Sequence, residues 1–407
     1  MRRKRKNPAA VQPVPGSEDH IVGRRFIRLI EDQLRHLHEL PAHGNRNVFL
    51  DHVVIAHLLA FFNPGVRGLR TIEDIFDHPL IRQRFAVPRL PKSTVSDAQN
   101  LFDPKLLLPL IEALRQRAGI QPHDPRLDVI TRELLAVDGS FFTVAPRIAW
   151  AVYNGSGKGN VRLHVQFNIL DGLPDQTTLT HGQGSETQQL RESLRANCFY
   201  VGDRGFQDYA LLEDILGARS DFLIRLRKSA HAQTVEEGPL TATDQAAGVV
   251  RDTTIQLGWR TDQTPSRPTL RLVEVRFTNR QGQPETMLLL TNRLDLPAWL
   301  MALIYQHRWQ VELFFRWLKC MAHFEHFFSE TLNGMTFQVY VTMIGLLLIA
   351  IETGAKPSKY DYALMSVAVS GLLSIESALE IAAKRRAERK RAAEWQKAYN
   401  ARKKNVR

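Results

Sequence analysis

The chain has 407 residues, 44% of them hydrophobic, so it can bury substantial cores and form two or three domains rather than remain disordered. Its formal charge of +12 is concentrated at the ends, because residues 1–6 contribute +5 and residues 384–407 contribute +9, which leaves the body nearly neutral. Two cysteines, Cys198 and Cys320, exclude a disulfide framework and a four-thiolate zinc site.

The sequence predicts a cytoplasmic, nucleoid-associated protein. The N-terminus "MRRKRKNPAAVQPVPGS" has no apolar run after its charges, so no secretory signal is predicted. The apolar run 340–351, "YVTMIGLLLIAI", is too short to span a bilayer and predicts a buried helix, with no membrane partner. The basic ends suit a DNA phosphate backbone, although solvated helical charge would produce the same composition.

The first third of the chain is predicted to be helical. Residues 1–20 form a flexible basic N-terminus, and apolar residues recur at helical spacing through residues 21–125, the predicted DNA-binding domain. Within it, "PRLPKSTVSDAQNLF" (88–102) could be a helix-turn-helix in which Ser93 or Thr94 caps a groove-entering helix. An ordinary helical bundle explains this segment equally well.

Residues 126–353 are predicted to form a second, α/β domain. Asp171-Gly172 marks a hairpin turn, and Ser185 marks the start of a helix. The order β-β-β-α-β-α-β predicts a mixed sheet with helices packed on it. Its segments are, in order, 133–144, 161–182 with the hairpin turn inside it, 185–196, 198–206, 208–219 and 221–228. Residues 231–290 follow as a mostly β insertion.

The chain then returns to helices. A helix is predicted over 295–322, with Pro297 in its first turn, and further helices over 336–353 and 361–383. Residues 354–407 are assigned to C-terminal helices and a basic tail.

The stretch "YQHRWQVELFFRWLK" (305–319) carries an unusual polar set for an apolar helix. At about 100° per residue, Tyr305, Arg308, Glu312 and Lys319 fall on one face. A carboxylate between two cations and a phenol suits a site that holds a metal and an anion together. Side-chain ion pairing, or a solvated stripe opposite core-facing residues such as Leu313, would give the same spacing.

Two aspartates are predicted just beyond strand ends, where loops of an open sheet share one edge. Asp138 lies in "AVDGS" and Asp203 in "YVGDRGF", each beside a glycine. A turn-forming role explains either one alone, as it does for Asp171.

These boxes resemble those of a known family. The spacing Tyr305-x2-Arg308-x3-Glu312-x6-Lys319 is similar to the Y-R-E-K signature of bacterial insertion-sequence transposases of the family numbered four, the Tn5-like enzymes. "VDGS" and "DRGF" resemble that family's two aspartate boxes, and the β-rich insertion lies where the family carries one. The resemblance covers roughly residues 133–350.

The resemblance implies an RNase H-like fold and DDE chemistry. Asp138, Asp203 and Glu312 would be the catalytic metal ligands, with Asp138 bridging two Mg²⁺ ions, or Mn²⁺ in their place. Tyr305, Arg308 and Lys319 would bind phosphates near the scissile bond.

The same resemblance implies the DNA partners. They are double-stranded DNA with terminal inverted repeats and a target DNA, bound by a homodimer on paired ends. Family members cut with water, after which the freed 3′-hydroxyl makes a hairpin. A base is then flipped onto an aromatic side chain.

Two further residues are candidates for DNA contact. Lys158, in the Gly-rich "GSGKGN", could bind a phosphate, although such a loop could be a plain connection. Trp259, in "LGWR", could stack on the flipped base, although a strand-packing tryptophan is the commoner case. His323 and His326 could suggest a metal, but a lone pair of histidines is more often surface or core.

Two other functions remain open from the sequence. A structure-specific nuclease would use the same acids without strand transfer, and a domesticated transposase would bind DNA without cutting. A glycoside hydrolase would explain neither Arg308 and Lys319, the cations on the helix face of Glu312, nor the basic chain ends.

Overall fold

The computed structural model describes residues 26, 29–40, 47–63, 65–119, 123–144, 151–154, 158–227, 232–257, 268–279, 281–321, 327–369 and 372–405. Six α-helices precede the first strand in these residues. They are α1 (Glu31–His38), α2 (Leu50–Phe62), α3 (Leu69–Asp77), α4 (Pro79–Phe85), α5 (Lys92–Leu101) and α6 (Leu108–Ala118). The helical pattern predicted for this region is confirmed in these ranges.

The predicted cap of the possible recognition helix is wrong. Helix α5 begins at Lys92 with Pro91 before it, so Ser93 and Thr94 lie inside the first turn. No side chain caps its N-terminus. The reason is that Pro91, whose fixed φ favours the entry to a helix, sets the start earlier than the hydroxyl residues do.

Helix α12 (Leu332–Thr353) forms the centre of the helical region. It packs against α2, α5 and α6, and residues of all four belong to one hydrophobic core. Among the described residues α12 is the one helix long and apolar enough to cross a membrane, and 89% of its apolar window is buried inside the protein. The buried helix predicted at 340–351, within a helix expected over 336–353, is confirmed, and it starts about one turn earlier, after the Thr331 cap.

Ten strands form one mixed sheet in the described residues, in the order β2-β3-β1-β5-β6-β10-β9-β8-β7, with β4 paired to β3. Their bounds are β1 (Glu133–Val144), β2 (Val152–Asn154), β3 (Lys158–Asn168), β4 (Leu173–His181), β5 (Cys198–Gly202), β6 (Asp221–Leu226), β7 (Ala232–Glu237), β8 (Val249–Leu257), β9 (Leu270–Thr278) and β10 (Pro284–Thr291). The predicted order gains the short strand β2. The predicted hairpin at Asp171-Gly172 is confirmed, with Gly172 at φ +69°.

Alternating side chains of β1 place a core on each face of the sheet. Leu134 and Ala136 belong to the core shared with the helical region, whereas Leu135 and Val137 belong to a second core. Helices α7 (Glu186–Glu192) and α8 (Tyr209–Gly217) pack on the second face. Even-numbered β1 residues therefore face the helices that follow the insertion.

The β insertion extends the central sheet. Strand β10 pairs antiparallel with β6, and β9, β8 and β7 follow outward from it, with the short helix α9 (Ala242–Ala246) between β7 and β8. The insertion is therefore joined to the central sheet through β6, the neighbour of β5.

The helix predicted over 295–322 is two helices. Helix α10 (Ala298–His307) ends at Arg308 and α11 (Trp309–Met321) follows at once. Arg308 keeps right-handed angles, φ −52° and ψ −30°, so the helical spacing is nearly preserved across the junction. Leu313 is 47% exposed rather than core-facing, because the opposite side of α11 packs on β1 and β3.

The C-terminal helices are α13 (Lys359–Val369) and α14 (Ile375–Asn405). The basic tail is thus helical through its described length. Only its start is buried, at Ile375, Ala378 and Ala382, and the later turns are solvent-exposed.

Candidate active site

Asp138 and Asp203 meet at one edge of the sheet. Strands β1 and β5 run parallel, and their pairing ends at Ala136 and Val201. Asp138 lies two residues beyond that point, and Asp203 directly follows β5. The carboxyl ends of parallel strands share an edge, so the two aspartates come together as the sequence predicted.

The expectation that β1 ends before Asp138 is wrong. The strand continues to Val144, because β1 stays paired with β3 on its other side, where Asp138 lies opposite Val165. Asp138 Oδ1 accepts a hydrogen bond of 2.8 Å from the Gly139 backbone N–H. Asp203 Oδ1 likewise accepts one of 2.7 Å from Gly205, at the start of a short 3-10 turn.

Arg308 connects the first aspartate to Glu312. Its Nη1 lies 3.3 Å from Asp138 Oδ2, and its Nη2 donates to Glu312 Oε1 one helical turn away. Arg308 is 8% exposed, so this guanidinium is a buried counter-ion between two carboxylates. Glu312, predicted only by its position on a helix face, is thereby placed beside the sheet edge.

The electrostatics of Asp138 reflect this crowding. Burial raises the pKa of Asp138 to about 6, while Arg308 and the Gly139 N–H act in the opposite direction. Asp203 and Glu312 both raise the pKa of Asp138 further, since their like charges lie close to it. A perturbed carboxyl in such a cluster is typical of a functional site.

Tyr305 and Lys319, the other two residues of the polar helix face predicted for 305–319, occupy different environments. Tyr305 is buried on α10, and the Arg308 guanidinium lies 5.6 Å from the centre of its ring. Burial raises the pKa of Tyr305, opposed by Arg308 and by Arg225 of β6. Lys319 is exposed, with its Nζ 5.3 Å from the centre of the Phe142 ring. Arg308 therefore joins Tyr305 to the acids, and Lys319 lies at the exposed end of the stripe.

Glu186 is a fourth carboxylate at this edge that the sequence interpretation missed. It is the acidic residue in the first turn of α7, directly after the Ser185 cap. Burial raises the pKa of Glu186, with Arg162 opposing and Asp138 and Asp203 adding to the increase. No spacing signal identified Glu186, because its helix approaches from the other side of the sheet.

The sequence profile of the family described as "Transposase DDE domain" matches residues 130–348, more than half of the chain. The chain belongs to this family of DDE transposases. The match starts before β1 and ends within α12, and it contains both aspartate boxes and the Glu312 helix.

Two relatives support this membership. A Sinorhizobium fredii protein named as the transposase y4zB is 26% identical over 220 residues, which are 54% of this chain and 60% of that protein. A Geobacillus stearothermophilus protein named as the transposase of insertion sequence element IS5377 is 27% identical over 267 residues, 65% of this chain and 68% of that protein. The transposase thus spans about 60% of the length of the first relative.

Among solved structures, this chain is similar to a cryo-EM structure of the piggyBac transposase synaptic complex with hairpin DNA, with a TM-score of 0.41 and 11% identity. The likeness covers 90% of this chain and 83% of that one.

Several predicted site residues lie partly or wholly outside the described residues. Lys158 is the first residue of β3, opposite Asn154, and is therefore in a strand rather than a loop, but its side chain is outside the description. Trp259, His323 and His326 lie outside it entirely. Their predicted roles stay predictions.

A cluster of His38, Asp51 and His52 in the helical region has atoms that could bind a metal, but the tautomer of His52 does not suit metal binding. The nitrogens of His38 and His52 and a carboxylate oxygen of Asp51 lie within 4.8 Å of one another. His52 Nδ1 accepts the Phe49 backbone N–H at 3.2 Å, which places the ring proton on Nε2, facing Asp51. A metal needs that nitrogen unprotonated. The cluster therefore belongs to the packing between α1 and α2.

Proposed function

We propose that this transposase cuts DNA at the ends of an insertion sequence and joins the freed 3′-hydroxyl to target DNA. Asp138, Asp203 and Glu312 are the proposed catalytic residues and ligands of Mg²⁺, for which Mn²⁺ can substitute. The observation that carries the proposal is Arg308, which contacts Asp138 and Glu312 together although Asp138 is 170 residues away in sequence.

The donor set fits a divalent metal. Asp138, Asp203 and Glu312 offer carboxylate oxygens, the ligands that Mg²⁺ prefers, and phosphate oxygens and water complete its coordination. When bound, the metal supplies an activated oxygen nucleophile and stabilises the leaving oxygen. Asp138 is the proposed bridging ligand, and retention of Mn²⁺ binding by Asp138→Asn would contradict that role.

The cationic stripe supports a phosphate-binding role beside these acids. Arg308, held against the Tyr305 ring and the carboxylates, would bind a phosphate near the acids that would hold the metal. Exposed Lys319 on α11, and Lys158 at the start of β3, are proposed further phosphate contacts. This arrangement supports membership of the Tn5-like group with its Y-R-E-K signature.

The strand order supports an RNase H-like fold for the catalytic region. Strands β4, β3 and β1 form an antiparallel meander, and β5 and β6 add in parallel to β1. We assign residues 126–353 to this domain, residues 21–125 to a helical DNA-binding domain, and residues 354–407 to the C-terminal helices and tail.

The proposed partners are terminal inverted repeats and target DNA, bound by a homodimer on paired ends. Cleavage through a DNA hairpin would require a stacking platform, for which Trp259 is the candidate. If Trp259→Ala left both nicking and hairpin formation intact, the stacking role would be rejected.

The test of the proposed function uses DNA carrying the gene's own flanking sequences, purified protein and Mg²⁺. Wild type is compared with Glu312→Gln and with Glu213→Gln, an exposed glutamate on α8, at matched salt. We expect end-specific cutting and joining in wild type and Glu213→Gln, and binding without cutting in Glu312→Gln. Cutting without joining would favour a structure-specific nuclease. Binding without cutting in all three proteins would favour a catalytically silent DNA-binding protein.

A further inference from the structure

Glu186 occupies a place that its role in its own helix does not require. It is the first residue of α7, whose N-terminus is already capped by the Ser185 hydroxyl, which accepts the Gln188 backbone N–H. The carboxylate is therefore free to extend away from the helix. It extends toward the edge of the sheet where Asp138 and Asp203 lie.

Two glycines define where the Glu186 carboxylate sits. A Cβ on Gly139, directly after Asp138, would lie 2.4 Å from Glu186 Oε1, closer than side chains can approach. A Cβ on Gly205, two residues after Asp203, would lie 3.5 Å from Glu186 Oε2 and 3.0 Å from Asp203 Oδ1. The two oxygens of Glu186 thus reach the glycines of both aspartate boxes. Asp138 and Glu186 also line the same cleft.

Arg162 holds Glu186 in this direction without fully neutralising it. Its Nη2 lies 3.5 Å from Glu186 Oε1, while its Nη1 donates to the Gly184 carbonyl at 2.9 Å. The same guanidinium lies 4.3 Å from the centre of the Phe141 ring, so it is fixed on three sides. Arg162 and the Gly139 backbone N–H, which also acts on Glu186, use part of the acceptor capacity of this carboxylate and leave its other lone pairs for a cation.

The charges around the edge favour a cation there. Asp138, Asp203 and Arg162 are the charged groups that act most strongly on Glu186. Arg308 is already engaged by Asp138 and Glu312. Four carboxylates are therefore opposed by two guanidinium groups in direct contact with them, and like charges at this spacing repel unless a cation lies between them.

We infer that Glu186 is a fourth metal-binding carboxylate of the catalytic centre, approaching from the face of the sheet opposite Glu312. This inference rests on the proposed function. Each Mg²⁺ takes six oxygen ligands, and a fourth carboxylate supplies donors, directly or through a bound water, that three acids leave to solvent. Gly139 and Gly205 leave the space that the Glu186 carboxylate occupies beside the two aspartate boxes.

The test is Mn²⁺ binding to the full-length protein, followed by calorimetry and by electron paramagnetic resonance of the bound ion. The variants are Glu186→Gln, Glu186→Asp and Glu192→Gln, the last an exposed glutamate at the other end of α7. We expect Glu186→Gln to weaken Mn²⁺ binding about tenfold or more and to alter the resonance signal. Glu186→Asp should recover part of the affinity, and Glu192→Gln should match wild type. Melting temperatures measured with chelator identify any variant that is misfolded.

Failure of the Glu186 inference can be distinguished from failure of the proposed function. If Asp138→Asn and Glu312→Gln lose Mn²⁺ binding while folded Glu186→Gln keeps wild-type affinity and spectrum, Glu186 is not a ligand and the proposed function stands. A wild-type protein that binds no Mn²⁺ would overturn both. If Glu186→Gln does not fold, unchanged Mn²⁺ affinity and spectrum in Glu186→Asp would overturn the inference, because shortening a ligand must disturb its metal.

Discussion

At the residue scale, Arg308 acts as the counter-ion of two proposed metal ligands. It lies between Asp138 and Glu312, where a divalent ion would need the same oxygens. Removing a guanidinium that competes for these carboxylates should strengthen their attraction for a metal. If Asp138 and Glu312 hold a metal, Arg308 would oppose its binding in the free protein and would be available to bind a phosphate in the metal-loaded one.

Replacing Arg308 should change metal binding and DNA cutting in opposite directions. Arg308→Met should tighten Mn²⁺ binding several-fold, because the carboxylates lose their competing cation. DNA cutting should fall by about 100-fold or more, because a charge-stabilising group is lost. The control is Arg316→Met, an exposed arginine on α11. Calorimetry measures the affinity, and weaker Mn²⁺ binding in Arg308→Met would mean that Arg308 organises the acids instead.

The raised pKa of Asp138 predicts a pH-dependent cost to stability. Because its pKa is about 6 in the folded protein and 3.8 ordinarily, the folded state holds this proton more tightly than the unfolded chain. The corresponding stability is full below about pH 4 and is lost as pH rises through about 6. Without metal, Asp138→Asn should therefore gain on the order of 1–3 kcal/mol over wild type at neutral pH.

The measurement is urea unfolding with chelator at several pH values between about 4 and 7.5. The stability advantage of Asp138→Asn should shrink as the pH falls. Parallel pH profiles for the two proteins would show that Asp138 is not the buried, charged group described here. A stabilising change at a proposed catalytic position would fit the general trade-off between activity and stability.

At the element scale, a buried charge network links the helical region to the sheet. Asp175 of β4 accepts hydrogen bonds from Arg115 of α6 and from Arg195, which precedes β5. The Asp175 side chain is 1% exposed, and Arg195 also contacts Glu133 of β1 at 2.9 Å. Strand β4, helix α6 and the segment before β5 therefore meet at the Asp175 carboxylate.

Removing that carboxylate should be costly, because two guanidinium groups would lose their buried partner. We expect Asp175→Ala to lower the free energy of unfolding by about 3–5 kcal/mol. Asp77→Ala removes an exposed ion pair with Arg89, at 2.8 Å, and should cost about 1 kcal/mol or less. Urea unfolding compares them, and equal losses would contradict the network's role.

At the scale of the whole molecule, helix α14 concentrates the positive charge. Its exposed cations include Lys384, Lys390 and Arg391, and exposed Trp395 stacks on Tyr399 with ring centres 5.4 Å apart. Exposed cations with aromatic neighbours suit contact with a DNA backbone, so this helix is the proposed source of sequence-independent affinity.

The change to test is the triple substitution of Lys384, Lys390 and Arg391 by glutamine. If the three cations contact phosphates, the slope of log affinity against log salt should become shallower by about 2–3. Fluorescence anisotropy on unrelated duplex DNA at several salt concentrations measures the slope. An unchanged slope would remove α14 from the DNA interface.

The sequence by itself determined the element types, the β insertion and the acidic residues of the proposed site. Strand and helix periods are local properties, so β5, α8 and the hairpin at Gly172 followed from nearby residues. Asp203 was placed directly after its strand because that strand ends locally at Gly202.

Only the tertiary structure decided what surrounds those acids. The extension of β1 past Asp138 depends on pairing with β3, and the Arg308 contact with Asp138 joins residues far apart in sequence. Glu186 reaches the same edge from the opposite face of the sheet, where no sequence spacing relates it to the aspartate boxes. Burial and long-range charge, which set the pKa of Asp138, exist only after the chain has folded.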